Sequence, residues 1–186
     1  IKKAAQALRD GFGSEFFAVS SANMNVLGDA RDLSHVPGNA VDLVLFSPPF
    51  LDKVDYLLDN WLEFWFMGIN PKSFADRLIM CRSLADWRAF ISDVLREMMR
   101  VLKLDSYGVI EVGEVEIGGE TIYLDEIVAE EAMKIRDGVR RLAVQEVLVN
   151  KQSFTKLANC FKIDNNKKGT NTNRLVVIKC LRQRKG

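Results

Sequence analysis

Residues 41–56 read "VDLVLFSPPFLDKVDY" and decide the fold. An apolar strand ends here in a polar residue, two consecutive prolines and an aromatic ring. Proline has no amide hydrogen, so Pro48 and Pro49 stop the strand and leave the surrounding carbonyl groups without ladder partners. We therefore expect a polar ligand to bind beside this strand end.

Strands and helices alternate along the rest of the chain. The run 41–46 is continuously apolar, as expected of a strand buried on both faces, and residues 24–27 are expected to be its parallel neighbour. After Ser83, which can act as an N-cap, apolar residues recur at three- and four-residue steps, as in an amphipathic helix. The predicted elements are a helix at 1–10, strands at 24–27 and 41–46, helices at 56–67 and 83–103, a strand at 107–113, a helix at 124–136, and strands at 142–149 and 174–180.

This alternation predicts an α/β fold with a mostly parallel sheet, closed by a C-terminal antiparallel pair of strands. Ligands of such folds gather at the carboxyl ends of the strands. The sequences "GDAR" (28–31) and "SPPF" (47–50) each follow a predicted strand. The binding site is therefore expected where these two loops meet.

Composition sets the broad class. The chain has 186 residues, of which 48% are hydrophobic and 27% charged, which predicts a single globular domain over residues 1–186. The absence of a long apolar run and of a secretory signal pattern indicates a cytoplasmic protein without a membrane partner. The net charge of +1 neither requires nor excludes nucleic acid, and one histidine, His35, leaves no histidine-based triad or metal cluster to build.

The tetrapeptide Ser47-Pro48-Pro49-Phe50 resembles motif IV of the DNA amino-methyltransferases, in which Ser, Asn or Asp precedes two prolines and an aromatic residue. The likeness extends from residue 24 to residue 180. Its other parts stand in the order expected of the cytosine-N4 branch of that family: "NVLGDARDL" (25–33), "DY" (55–56), "VIEVGEV" (109–115) and "GTNTNRLVVI" (169–178). Several motifs in order are more specific than one short match.

The resemblance implies a Rossmann-like methyltransferase fold and transfer of a methyl group from S-adenosylmethionine to an exocyclic amino group of a flipped DNA base. No metal is expected. The Ser47 side chain and the Pro48 carbonyl would accept the hydrogens of the amine, Pro49 would stiffen the loop, and Phe50 would stack on the base. Serine in the first position favours cytosine N4 over adenine N6. RNA remains a possible alternative substrate, and neither the oligomeric state nor a restriction partner can be read from the sequence.

Further site residues follow from the same resemblance. Asp29 and Ala30 would contact the adenine of S-adenosylmethionine, although Asp29 could equally act as a turn cap. Asp55 and Tyr56 would shape the base pocket, although Asp55 could equally cap the helix that follows it.

The polar stretch 165–174, "NNKKGTNTNR", carries three basic residues among small hydrogen-bonding ones. Lys167, Lys168 and Arg174 could hold DNA phosphates without reading the base sequence. A solvated hairpin loop is the competing interpretation of the same composition.

The sequence departs from the family pattern in one motif, and the location of one aromatic cluster is undecided. A glycine-rich donor-binding turn is absent from the sequence. Such a turn is expected to lie upstream of Ile1, so that the fold is incomplete at its N-terminus; otherwise the chain is an inactive relative that binds nucleic acid or a partner subunit. The aromatic set Trp61, Phe64, Trp65 and Phe66 is expected in the core, and exposure of part of it would indicate a partner.

Overall fold

The structure, a computed structural model, describes residues 24–49, 51, 56–74, 81, 83–151 and 172–183. The helix predicted at residues 1–10 lies outside these ranges. The elements in chain order are β1 (Val41–Phe46), α1 (Tyr56–Asp59), α2 (Trp61–Phe66), a 3-10 helix (Pro71–Phe74), α3 (Leu84–Val101), β2 (Leu102–Val112), β3 (Glu114–Ile117), β4 (Glu120–Tyr123), α4 (Leu124–Lys134), β5 (Arg140–Lys151) and β6 (Thr172–Arg182).

The main sheet has four strands in the order β1-β2-β6-β5. Strand β1 is parallel to β2, and β6 is antiparallel to both of its neighbours, β2 and β5. Three of the four strands therefore run in one direction and β6 alone opposes them. This arrangement confirms the predicted α/β fold, its predominant strand direction and its C-terminal antiparallel pair.

Helix α3 forms the centre of the core, as its periodicity predicts. Ser83 caps it by accepting a hydrogen bond from the Asp86 amide at 3.1 Å. One stripe of the helix is buried against the sheet: Trp87, Phe90, Ile91, Val94, Leu95, Met98, Met99 and Val101. Helix α4 packs beside it, so both helices cover the same face of the sheet.

Two predictions about the first strands are wrong. Residues 24–27 form no strand, and Met24 and Leu27 are 74% and 86% exposed. A strand needs backbone partners, and the described part of the chain offers none to this short run. Strand β1 has its predicted bounds but is not buried on both faces: Leu43 and Leu45 are exposed, because α3 and α4 cover only the opposite face, which carries Val44.

The aromatic segment after the proline loop also differs from its prediction. One helix over residues 56–67, packed against the sheet or against a partner, was expected, but two helices form, α1 and α2, which are separated by Asn60 and have no buried residue. The exposed fractions of Trp61, Trp65 and Phe66 are 62%, 72% and 83%. These side chains lie on the surface. Exposure of part of this aromatic set was expected to indicate a partner. None of the helices within the described ranges is long and apolar enough to cross a membrane.

The contact between α3 and β2 allows a test of the fold. A Cβ atom at Gly108 would lie 3.0 Å from the Met98 Cε atom and closer still to its sulfur, and Met98 is buried. We expect Gly108→Ala to lower the free energy of unfolding by about 1–3 kcal/mol, the usual cost of overpacking a core. Chemical denaturation measures this. Gly138→Ala is the matched control, because nothing lies within 4 Å of the added methyl group; equal effects of the two changes would contradict the packing described.

Candidate functional site

The loop that follows β1 lies at the carboxyl edge of the sheet and is open to solvent at its first residue. Ser47 is exposed, whereas Pro48 and Leu51 are buried. In the part of the chain that the structure describes, no group hydrogen-bonds to the Ser47 hydroxyl or to the Pro48 carbonyl. The exposed Ser47 hydroxyl can therefore accept a hydrogen bond from a ligand, and the Pro48 carbonyl keeps an unused acceptor in a buried residue. Phe50, the predicted stacking residue, lies outside the described residues.

The Pro49 carbonyl, in contrast, is already bonded. The indole nitrogen of Trp87 donates a hydrogen bond of 3.0 Å to this oxygen. Trp87 is fully buried in the first turn of α3 and belongs to the core, in which Leu51 also lies. The loop is thus attached to the core at both of these points, on either side of position 50.

The Asp29 side chain organises the "GDAR" turn. Its carboxylate accepts hydrogen bonds from the Arg31 amide at 2.8 Å and from two nitrogens of the Arg31 guanidinium, the shorter at 2.7 Å. The hydrogen bonds from the Arg31 side chain are the main reason that the pKa of Asp29 lies below its usual value. The structure therefore shows the turn-cap role of Asp29, and its predicted contact with an adenine remains a prediction. Ala30 is half-buried and packs against the core.

The "GDAR" turn lies at the same edge of the sheet as the proline loop. The Arg31 guanidinium carbon lies 6.0 Å from the centre of the Phe90 ring, and this ring lies 6.5 Å from that of Phe46, the last residue of β1. Ser47 follows Phe46 directly. The Phe90 ring therefore lies between the two loops that the sequence assigned to the donor and to the base. The strand that was expected to carry the "GDAR" turn to this edge is absent, because residues 24–27 form no strand.

Helix α3 also holds the rest of the loop that leads into β1. A Glu97 carboxylate oxygen accepts a hydrogen bond from the Leu33 amide at 2.9 Å, and Arg100 donates to the carbonyls of Leu33 and Val36 at 2.7 and 3.0 Å. Glu97 and Arg100 also form an ion pair with each other at 2.8 Å. These contacts make α3 the common support of both site loops.

Arg174 also lies at the carboxyl edge of the sheet, but its side chain is already paired with carboxylates of the chain. It pairs with Val112, the last residue of β2, and its guanidinium contacts the carboxylates of Glu114 at 2.6 Å and Asp125 at 3.4 Å. It also lies 4.6 Å from the centre of the Tyr123 ring. The Arg174 side chain is only 13% exposed. Its predicted contact with a DNA phosphate would have to compete with these two carboxylates.

The remaining predicted site residues are only partly described. Tyr56 begins α1 and is half-buried, whereas Asp55, Lys167 and Lys168 lie outside the described residues. Sequence reasoning placed Trp87 in the core without assigning its N–H a partner, because that partner is 38 residues away in the chain. Arg31 could have been found, since a basic residue two positions after an aspartate can bond to its side chain.

No protein-family model matches the sequence, and neither does any curated protein. In contrast, solved structures share its fold. TTHA0409, a candidate DNA modification methylase of Thermus thermophilus crystallised with S-adenosyl-L-methionine, superposes with a TM-score of 0.50 at 18% identity, over 86% of this chain and 56% of that one. The chain therefore shares the fold of this part of the neighbour, and spans about half of the neighbour's length.

Two further structures are similar to a lesser degree. The selenomethionine derivative of the same Thermus thermophilus protein gives a TM-score of 0.49 at 20% identity, over 86% of this chain and 53% of that one. The cytosine-N4-specific PvuII DNA methyltransferase gives 0.48 at 15% identity, over 82% of this chain and 47% of that one.

The Glu97–Arg100 support has a testable pH dependence. Hydrogen bonds from the Arg100 side chain are the main reason that the pKa of Glu97 is lowered in the folded chain. A lowered pKa contributes stability that is complete above the unfolded pKa, about 4.3, and is lost as the pH falls through the folded value. We expect Glu97→Gln to cost about 1 kcal/mol at pH 7 and the difference from the native chain to shrink below pH 4.

Denaturation midpoints measured from pH 7 to pH 3 check this expectation. Asp93→Asn is the matched control, because Asp93 forms an exposed ion pair with Arg96 on the same helix. Such surface pairs contribute little to stability. A constant difference between the native chain and Glu97→Gln over the whole pH range would contradict the described role of Glu97.

Proposed function

We propose that this chain is the catalytic portion of an S-adenosylmethionine-dependent DNA methyltransferase that modifies an exocyclic amino group of a flipped base. Cytosine N4 is favoured over adenine N6. The observation that carries the proposal is the loop at the end of β1: the Ser47 hydroxyl is exposed, and neither it nor the Pro48 carbonyl has a hydrogen-bond partner among the described residues, while the Pro49 carbonyl is bonded to Trp87.

Two free acceptor oxygens suit this chemistry. The lone pair of an exocyclic amine is delocalised into the base ring, so the nitrogen is a poor nucleophile. Ser47 and Pro48 would accept its two hydrogens and hold the nitrogen in a geometry in which the lone pair can point at the methyl donor. The pyrrolidine rings limit the loop to few conformations, so little entropy is lost when the base binds.

The "GDAR" turn fits the donor side of the site. The Asp29 carboxylate is bonded to Arg31, whose guanidinium lies 6.0 Å from the Phe90 ring, and this ring lies 6.5 Å from that of Phe46, the residue before Ser47. Asp29 and Ala30 are the residues that would hold the adenine of the donor. The Asp29 carboxylate also bonds to Arg31, so a donor hydroxyl or amino group would share this acceptor with the arginine. When bound, S-adenosylmethionine supplies an electrophilic methyl group.

A base within a duplex cannot reach an acceptor pair on a sheet edge, so the target nucleotide would have to leave the stack, at a cost of a few kcal/mol. Phe50 would stack on the flipped base and so offset this cost. Asp55 and Tyr56 would form the wall of the base pocket. Lys167 and Lys168 are assigned to the DNA phosphates, with Arg174 as a further contact where the duplex displaces its carboxylate partners.

The central test replaces one acceptor. We expect Ser47→Ala to lower the rate of methyl transfer from labelled S-adenosylmethionine to duplex DNA about 10- to 100-fold, because one hydrogen of the amine loses its acceptor. Ser34→Ala is the control, since Ser34 is an exposed residue of the loop before β1 and should leave the rate unchanged. An unchanged rate in Ser47→Ala would contradict the assigned role.

The same assay separates the competing functions. Salt-sensitive DNA binding by the native chain, without donor binding in a calorimetric titration and without methyl transfer, would instead support an inactive nucleic-acid-binding relative. Competition between RNA and duplex DNA for methyl transfer from labelled S-adenosylmethionine distinguishes an RNA substrate, because the preferred nucleic acid suppresses transfer to the other.

A further inference from the structure

Trp87 is set apart from the other two tryptophans of the chain. Trp61 and Trp65 are more than half exposed, whereas Trp87 has no exposed surface. A buried indole N–H needs an acceptor. Here the acceptor is the Pro49 carbonyl, at 3.0 Å, in the loop that carries the Ser47 hydroxyl and the Pro48 carbonyl, which have no hydrogen-bond partner among the described residues.

This hydrogen bond constrains the ψ angle of Pro49, a backbone dihedral of the loop that the proline ring does not fix. The ring of each proline fixes its φ angle, so Pro48 and Pro49 retain only ψ as a soft dihedral. The direction of the Pro49 carbonyl defines its ψ angle, and the Trp87 indole fixes that direction. Leu51, two residues on, is 2% exposed and lies in the core. The backbone is therefore anchored on both sides of position 50.

The anchor is itself rigid. Ser83 caps α3 and its hydroxyl donates a hydrogen bond of 2.7 Å to the Asp86 carboxylate, and the Trp87 amide donates to the Ser83 carbonyl at 3.0 Å. Further along, the close contact between Met98 and Gly108 sets the position of the helix on β2. The indole is thus held by the cap at one end of α3 and by helix packing at the other.

We infer that Trp87 is a positioning residue for the methyl transfer, an inference that rests on the proposed function. It does not touch the base. By holding the Pro49 carbonyl it turns that oxygen away from the ligand and orients the preceding Pro48 carbonyl and Ser47 toward it. Misplacement of the acceptors by about 1 Å can cost 10²-fold in rate, so the loss of this N–H should reduce kcat more than it changes KM.

The test removes the N–H hydrogen-bond donor of Trp87 and keeps the shape of its side chain. Trp87 is replaced by β-(3-benzothienyl)alanine, an isostere with sulfur in place of the N–H group, and Trp87→Phe serves as a second variant. For both variants we expect kcat for duplex DNA to fall about 10- to 100-fold, with KM changed by no more than about twofold. The isostere should keep its thermal midpoint within a few degrees of the native value, whereas Trp87→Phe leaves a cavity in the core and should lower it. The same replacements at Trp65 should leave both constants unchanged. An unchanged kcat in the folded isostere would overturn the inference.

A second measurement keeps this inference separate from the proposed function. Three indole N–H signals are expected in a nitrogen-15 spectrum of the free chain, and that of Trp87 should exchange with solvent at least about 100-fold more slowly than the other two. Slow exchange together with an absence of methyl transfer would overturn the proposed function and leave the anchor established. Fast exchange at Trp87 would overturn the positioning role, whatever the activity.

Discussion

The close packing of α3 against β2 is the constraint on which the site depends. Gly108 leaves the space that the Met98 side chain fills, so the helix lies directly on the strand next to β1. From this position the first turn of α3 reaches the proline loop through Trp87, and its second half reaches the loop before β1 through Glu97 and Arg100. One helix therefore orients the residues on both sides of β1.

The polar groups at the carboxyl edge of the sheet differ in whether they already have a hydrogen-bond or ion-pair partner. The Pro49 carbonyl accepts a hydrogen bond from Trp87, and the Asp29 carboxylate accepts hydrogen bonds from Arg31. The Arg174 guanidinium forms ion pairs with Glu114 and Asp125. The Ser47 hydroxyl and the Pro48 carbonyl have no hydrogen-bond partner among the described residues. Two adjacent acceptors without a charge suit a neutral amine that carries two hydrogens, which is the feature shared by cytosine and adenine.

Local signals predicted well and long-range ones did not. The cap at Ser83 and the three- and four-residue periodicity after it placed α3, because caps and amphipathic stripes depend on neighbours within one or two turns. Residues 24–27 and the exposed Leu43 and Leu45 were predicted wrongly, because strand formation and burial depend on a second strand or a covering layer that an apolar run does not specify. The exposure of Trp65 was missed for the same reason. For the site, the end of β1 placed the proline loop at the carboxyl edge of the sheet, as predicted, whereas the "GDAR" turn follows no strand. The hydrogen bond from Trp87 could not be predicted, because any core residue would fit an apolar stripe.

The atom that receives the methyl group is the most direct test of the proposed site. DNA incubated with the chain and isotopically labelled S-adenosylmethionine would be digested to nucleosides and analysed by mass spectrometry. The label is expected on an exocyclic nitrogen, as N4-methylcytosine in preference to N6-methyladenine. Label on a ring carbon, as 5-methylcytosine, would contradict the account, because a pair of acceptors for amine hydrogens has no role in that reaction.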